Sequence, residues 1–208
     1  MKENIRLILA SASPRRHELL TAAGLPHEVI VSDADENVKT EAPEGVPFAC
    51  HFAAEASRVK GEAVVSLVHP AEGTRTFVIS ADTVVSTDMT DVLGKPKDRA
   101  DAARMIRSLS GGTHYVIGGL TVSEVTGKTV TETVVTEVTF ASLTDGEIDA
   151  YVSTCEPYDK AGAYGIQGIA SLFAERVVGD YANVVGISVA QIRKILWKSF
   201  GISPEDLI

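Results

Sequence analysis

Apolar and polar positions alternate along this chain in several distinct periods, and each period predicts an element. Leu7-Ile8-Leu9-Ala10 is a short unbroken apolar run, as expected of a buried strand. It stops at Ser11-Ala12-Ser13-Pro14-Arg15-Arg16. Ser13 stands where a helix N-cap belongs, with Pro14 at the first helical position. His27–Ser32 reads as a second short strand. From Phe48 to about Val65 the positions Phe48, Phe52, Ala56, Val59, Ala63 and Leu67 recur every three or four residues, the period of an amphipathic helix.

The most β-like segment is Phe77–Val85. Asp98 caps a helix reaching Leu109, with Ala102, Met105, Ile106 and Leu109 on its apolar side and Ser110-Gly111-Gly112 ending it. Two Thr- and Val-rich strands, Thr113–Val125 and Thr129–Phe140, flank the turn Thr126-Gly127-Lys128, a hairpin signal. Thr144 or Asp145 caps a short helix, Glu147–Ser153. Leu172–Val178 is a last strand, Gly179–Asn183 a turn, and Val184–Phe200 a closing amphipathic helix. Strands and helices mix throughout, so the fold class is α/β. There is no repeat, low-complexity stretch or long linker, and residues 1–208 are read as a single domain.

Charge changes this picture. The net charge is −9, so nothing draws the chain to nucleic acid polymers or an anionic membrane. If it binds phosphate, it needs a local cluster of cations, a metal, or both. Cys50 and Cys155 are too few for a disulfide framework, and the N-terminus lacks a secretory pattern. No apolar stretch approaches the roughly 20 residues of a spanning helix, so a cytoplasmic protein is expected. The five histidines lack metal spacing, which argues against zinc.

Six features carry candidate chemistry. Strand, polar turn, helix N-terminus and Arg15-Arg16 make a ready anion site, although a plain capped helix with two solvated arginines has the same spacing. Asp33, Asp35 and Glu36 at a strand end suit Mg²⁺, or form a solvated loop. Asp82 is the one acid within an apolar strand, costly to bury unless paired or metal-bound; backbone N–H groups could satisfy it as well. Lys60 lies beside the apolar stripe of its helix, reaching inward or snorkelling outward. Lys95, next to Gly94 and Pro96, is read as a second phosphate-facing cation, or a surface turn lysine. Tyr158–Gly168 holds three glycines at three-residue spacing, an Asp-Lys pair and Gln167, a composition suited to gripping a flat polar ligand such as a base. Gly127-Lys128-Thr129 ends like a phosphate-binding loop, but Val122 replaces its first glycine and a strand follows.

Ser11-Ala12-Ser13-Pro14-Arg15-Arg16, Ala81-Asp82-Thr83-Val84-Val85, Leu93-Gly94-Lys95-Pro96 and Asp159–Gly168 together resemble the Maf family of septum-formation-inhibitor-like nucleotide pyrophosphatases. The resemblance runs nearly end to end. It implies a fold similar to inosine-triphosphate pyrophosphatases, with an elongated mixed sheet flanked by helices and two lobes around a cleft. It implies metal-dependent hydrolysis, with Mg²⁺, Mn²⁺ or another divalent ion, of a nucleoside triphosphate to the monophosphate and pyrophosphate. Asp82 falls on the family's proton acceptor. Arg15, Thr83 and Gln167 fall on positions linked to substrate choice. Glu36, Lys60, Lys95, Asp159 and Lys160 match polar cleft positions.

On that basis Ser13, Arg15, Arg16, Lys60, Thr83, Lys95, Asp159, Lys160 and Gln167 are expected to bind substrate. Glu36 and Asp82 are expected to hold the metal. Gly165-Ile166-Gln167-Gly168 resembles the dTTP/UTP branch rather than the 7-methyl-GTP branch. The match departs where Ala56-Ser57 replaces the usual Leu-Ala and Gly61 follows Lys60. A homodimer is compatible with the family. Alternatives from the same residues are an inosine- or 7-methylguanosine-type pyrophosphatase, a non-catalytic nucleotide-binding regulator of division, and a partner-binding domain whose polar motifs are merely turns.

Overall fold

The computed structural model describes residues 4–31 and 38–207. The acidic segment with Asp33, Asp35 and Glu36 lies outside them. Six strands form one mixed sheet in the order β2-β1-β3-β4-β5-β6. β1 (Asn4–Leu9) lies parallel to β2 (Glu28–Val29) and β3 (Thr74–Ser86). β3, β4 (Thr113–Glu124), β5 (Thr129–Phe140) and β6 (Ala174–Val178) are antiparallel neighbours. The expected second strand from His27 shrinks to two residues, because it borders only the end of β1.

One face of the sheet carries α2 (Phe48–Val65), which lies across β3, β4 and β5. The other face carries α1 (Pro14–Ala22), α3 (Arg99–Leu109), α4 (Asp145–Val152), α5 (Tyr181–Val185) and α6 (Val189–Phe200). Large side chains of α6, namely Ile192, Ile195, Leu196 and Phe200, bury against Phe77, Ile79, Leu120 and Val122. The α2 face is different. Its buried positions are Ala49, Ala53, Ala56, Ser57, Gly61 and Val64, and Leu67 is exposed. The stripe expected from its bulky residues is therefore rotated. Helix and sheet approach so closely that a Cβ on Gly119 would lie 1.8 Å from the Ala53 carbonyl oxygen. Only small residues fit such an approach.

The closing helix divides in two. Gly186 has φ 155°, a conformation an L side chain rarely adopts, and it separates α5 from α6. Asp180 caps α5 through the N–H groups of Ala182 and Asn183, and Ser188 caps α6 through Gln191. The expected turn at Gly179–Asn183 thus already contains the first turn of α5. α4 is capped by Thr144 in a capping box with Glu147.

Candidate active site

β1 ends at Leu9, opposite Ile79, whereas β3 runs on to Ser86. Beyond Ile79, β3 keeps β4 as its neighbour while the β1 chain turns away into α1. A gap at the end of a parallel strand pair is where α/β sheets bind ligands. Here it opens into a cleft of about 910 Å³ lined by the β1–α1 turn, β3, α2 and the 156–168 segment.

Strand alternation distributes the groups of β3 to both sides. Ser80 and Asp82 point toward α2, and Thr83 toward α1 and Gly186. Asp82 Oδ1 receives a hydrogen bond from Lys60 Nζ at 2.6 Å, with each side chain less than a fifth exposed. Lys60 thus reaches inward. Ser57 explains how. Its hydroxyl lies 2.8 Å from Thr121 Oγ1, and Ser80 Oγ donates to its carbonyl oxygen. A Cβ on Gly61 would come 2.6 Å from Ser80 Oγ. Ser57 and Gly61, two of the positions where the sequence departs from the family pattern, both sit in the close contact of α2 with the sheet that flanks Lys60.

The arginines divide their work. Arg16 donates through Nε to Gly186 O at 2.8 Å, through Nη1 to Ser11 Oγ at 3.1 Å and through Nη2 to Thr83 Oγ1 at 3.2 Å. It ties the β1–α1 turn to β3 and to the α5–α6 break. Arg15 is a third exposed and lies 3.7 Å from Asp159. Ser13 occupies the N-cap position, but its side chain makes no capping bond; its N–H donates to Ser11 Oγ instead. Ser13 and the first-turn residues Pro14, Arg15 and Arg16 of α1 line the cleft.

The segment after α4 closes the opposite wall. Lys160 Nζ donates to Asp159 Oδ1 at 2.5 Å and to the Glu156 carbonyl oxygen at 2.7 Å. Burial tends to raise the Asp159 carboxyl, but the bond from Lys160 and the nearby Arg15 outweigh it and leave it below the usual carboxylate range. The Gly162 N–H reaches the carbonyls of Leu93 and Gly94 at 3.0 and 3.1 Å, and its φ of 66° with Val85 beneath admits no side chain. That contact holds Lys95 on the cleft rim. Gln167 is exposed on the same rim.

The structure therefore brings Ser13, Arg15, Arg16, Lys60, Asp82, Thr83, Lys95, Asp159, Lys160 and Gln167 to one cleft. Glu36 lies outside the described residues. Sequence reasoning passed over Ser11, Phe52, Glu156 and Gly186, all of which also line it. Glu156 carried a signal, as an acid directly preceding Pro157 and the dense 158–168 motif. The glycine at 186 carried one only in hindsight of the helix it interrupts.

The family model for Maf, "Maf-like protein", matches residues 6–199. The chain belongs to the Maf family. It is 43% identical to the dTTP/UTP pyrophosphatase of Alkaliphilus metalliredigens over 95% of this chain and 98% of that protein. It is 41% identical to the dTTP/UTP pyrophosphatase of Acetivibrio thermocellus over 96% and 97%, and 43% identical to that of Bacillus pumilus over 96% and 98%. Among solved structures, the Staphylococcus aureus Ham1 protein aligns with 65% of this chain and 72% of its own at a TM-score of 0.43 and 13% identity.

A divalent ion is the cofactor to test against this Maf cleft. Among the described residues no three His, Cys, Asp or Glu side chains gather to hold an ion unaided. The Asp82 carboxylate lies in the cleft, and hard oxygen is what Mg²⁺ and Mn²⁺ accept. Mg²⁺ commonly binds through one or two carboxylates plus substrate phosphates. The residues fit an ion that arrives with a triphosphate. No helix among the described residues is long and apolar enough to cross a membrane.

Proposed function

We propose that this protein is a nucleoside triphosphate pyrophosphatase that hydrolyses dTTP and UTP to the monophosphate and pyrophosphate. The observation that carries the reading is the Asp82–Lys60 pair at the edge of β3, in the same cleft as the β1–α1 turn and the rim cations. The full-length similarity to enzymes named dTTP/UTP pyrophosphatases supports the base preference.

In this reading the triphosphate lies along the first turn of α1, where backbone N–H groups, Ser13 and Arg15 meet its oxygens. Lys95 and Lys160 meet the leaving pyrophosphate and supply the positive charge an acidic chain otherwise lacks. Arg16 keeps that turn registered against Thr83. Lys60 engages Asp82 Oδ1, leaving Oδ2 to take the proton of the attacking water. The water oxygen bonds to the α-phosphorus as the bond from that phosphorus to the bridging oxygen breaks. A bound divalent ion, held by Asp82 and phosphate oxygens, would add charge neutralisation and Lewis acidity. Gln167 offers one donor and one acceptor, the complement of a uracil or thymine edge. Thr83 shapes the pocket on the Arg16 side. The substrate is a free nucleotide, and action in the cytoplasm follows from where that pool lies.

Pyrophosphate release from a panel of pyrimidine and purine triphosphates, with Mg²⁺ or Mn²⁺, tests the assignment. Asp82→Asn should keep the fold and lose about 10²- to 10⁴-fold in kcat. Near-native turnover in that variant would remove Asp82 from its role, and turnover confined to purines would remove Gln167 from its own.

A further inference from the structure

Glu156 has no part in the chemistry above, yet its carboxylate accepts three hydrogen bonds. Oε2 accepts the Ile169 N–H at 2.7 Å, and Oε1 accepts the Ala170 N–H and the Tyr151 hydroxyl, both at 3.1 Å. Those two N–H groups open the short 3₁₀ turn Ile169–Leu172. Glu156, thirteen residues away in sequence, thus caps that turn from outside.

The Tyr151 hydroxyl also lies 3.2 Å from the Ala163 carbonyl oxygen. Ala163 is fully buried with φ 63°, a left-handed conformation for a non-glycine residue. Such geometry persists only where surroundings enforce it. Between these anchored ends, Ala163 and Ile169, lie five residues, Gln167 among them. The end of the segment, next to Gln167, is fitted to the same carboxylate. A Cβ on Gly168 would stand 2.3 Å from Glu156 Oε2.

We propose that Glu156, aided by Tyr151, is a positioning residue that fixes the 164–168 segment so that Gln167 meets the nucleobase in a set geometry. The proposal rests on Gln167 reading the base. An exposed glutamine on an unanchored loop must be ordered at each binding event, which costs affinity. An anchored loop has met that cost on folding. The carboxylate is engaged by the Ile169 and Ala170 N–H groups and the Tyr151 hydroxyl, so its removal should weaken ground-state recognition and leave the chemical step alone.

Steady-state kinetics of the wild type, Glu156→Gln, Tyr151→Phe, Gly168→Ala and Gln167→Ala on dTTP and GTP decide the matter. Glu156→Gln keeps the volume but turns an acceptor into a donor facing a backbone N–H. The dTTP KM should rise about tenfold with kcat within about threefold, the effect expected of losing one charge-assisted hydrogen bond. KM for GTP should not move, so the preference for pyrimidine falls. Tyr151→Phe should give a smaller shift in the same direction. Gly168→Ala, which pushes the carboxylate aside without removing it, should reproduce the Glu156→Gln pattern, and it decides the question if Glu156→Gln does not fold. Adding it to Glu156→Ala should then cost little more.

Equal losses on dTTP and GTP would make Glu156 a merely structural residue and overturn the proposal. So would an unchanged dTTP KM in both Glu156→Gln and Gly168→Ala while Gln167→Ala raises it. An unchanged dTTP KM in Gln167→Ala would instead remove the base-reading role, and this proposal with it.

Discussion

The two faces of the sheet are packed on opposite principles. On the α6 face, Ile192, Ile195, Leu196 and Phe200 fill the space over Phe77, Ile79, Leu120 and Val122 with large, shape-tolerant side chains. On the α2 face, alanines, Ser57 and Gly61 bring helix backbone almost onto strand backbone, and hydroxyls of Ser57, Ser80 and Thr121 bond across the contact. The first face gains stability from buried area. The second gains position, because a helix in backbone contact cannot slide without a clash. The residue that needs position, Lys60, grows from the second face and meets Asp82 at 2.6 Å. The lesson is that a weakly hydrophobic helix face can be the more exacting one.

The sharpest way to break this contrast is to thicken the tight face. Gly119→Ala places a Cβ against backbone atoms of Ala53 and Ala54, which cannot rotate away. It should destabilise the fold by about 4 kcal/mol or more and depress kcat/KM as well, because displacing α2 displaces Lys60. Denaturant unfolding and turnover measured together check both. A mild loss of stability with native turnover would show that α2 floats on the sheet.

Thinning the generous face should act differently. Leu196→Ala removes a fully buried side chain and should cost about 3 kcal/mol with kcat/KM within about twofold of wild type at a temperature where both are folded. A large activity loss would mean that α6 also sets the site.

The face opposite α2 also holds a buried titratable group. His114 contacts Phe140 and Tyr164 by ring edges, and its Nε2 lies 2.8 Å from the Tyr164 hydroxyl. Burial pushes its pKa down to about 4. The unfolded chain, with the ordinary value near 6.5, binds the proton more readily. Stability from this residue is therefore complete above about pH 6.5 and is lost as the pH falls toward 4. Between pH 7 and pH 5 the loss should be about 2 kcal/mol. His114→Gln should flatten that part of the pH–stability curve, and an unchanged curve would place the proton elsewhere.

The smallest effect should come from the hydroxyl contact. Ser57→Ala deletes one buried hydrogen bond to Thr121 and should cost about 1 kcal/mol, with kcat falling less than threefold because Gly61 and Gly119 still hold α2 down. Double-mutant analysis with Thr121→Val would isolate that bond.

Much of this protein was determined by sequence alone. The long antiparallel pair, α2, α3 and the β1–α1 turn follow from local period, caps and turn residues, which act over a few positions. The family follows from four motifs in order, and those motifs name most of the cleft. Tertiary structure decided the rest. Lys60 could point in or out by pattern; the close approach of α2, set by Gly119 on β4 and by Gly61 of the helix itself, sends it in. Val184–Phe200 reads as one amphipathic helix, yet Gly186 must give its carbonyl to Arg16 and Thr83, and the helix breaks there. Ser13 looks like a side-chain cap, but the turn is folded around Ser11 instead. Glu156 is an ordinary acid until Ile169 and Ala170 fold back onto it. In each case the deciding partner lies far along the chain, and a local pattern carries no record of which distant backbone will come within hydrogen-bond reach.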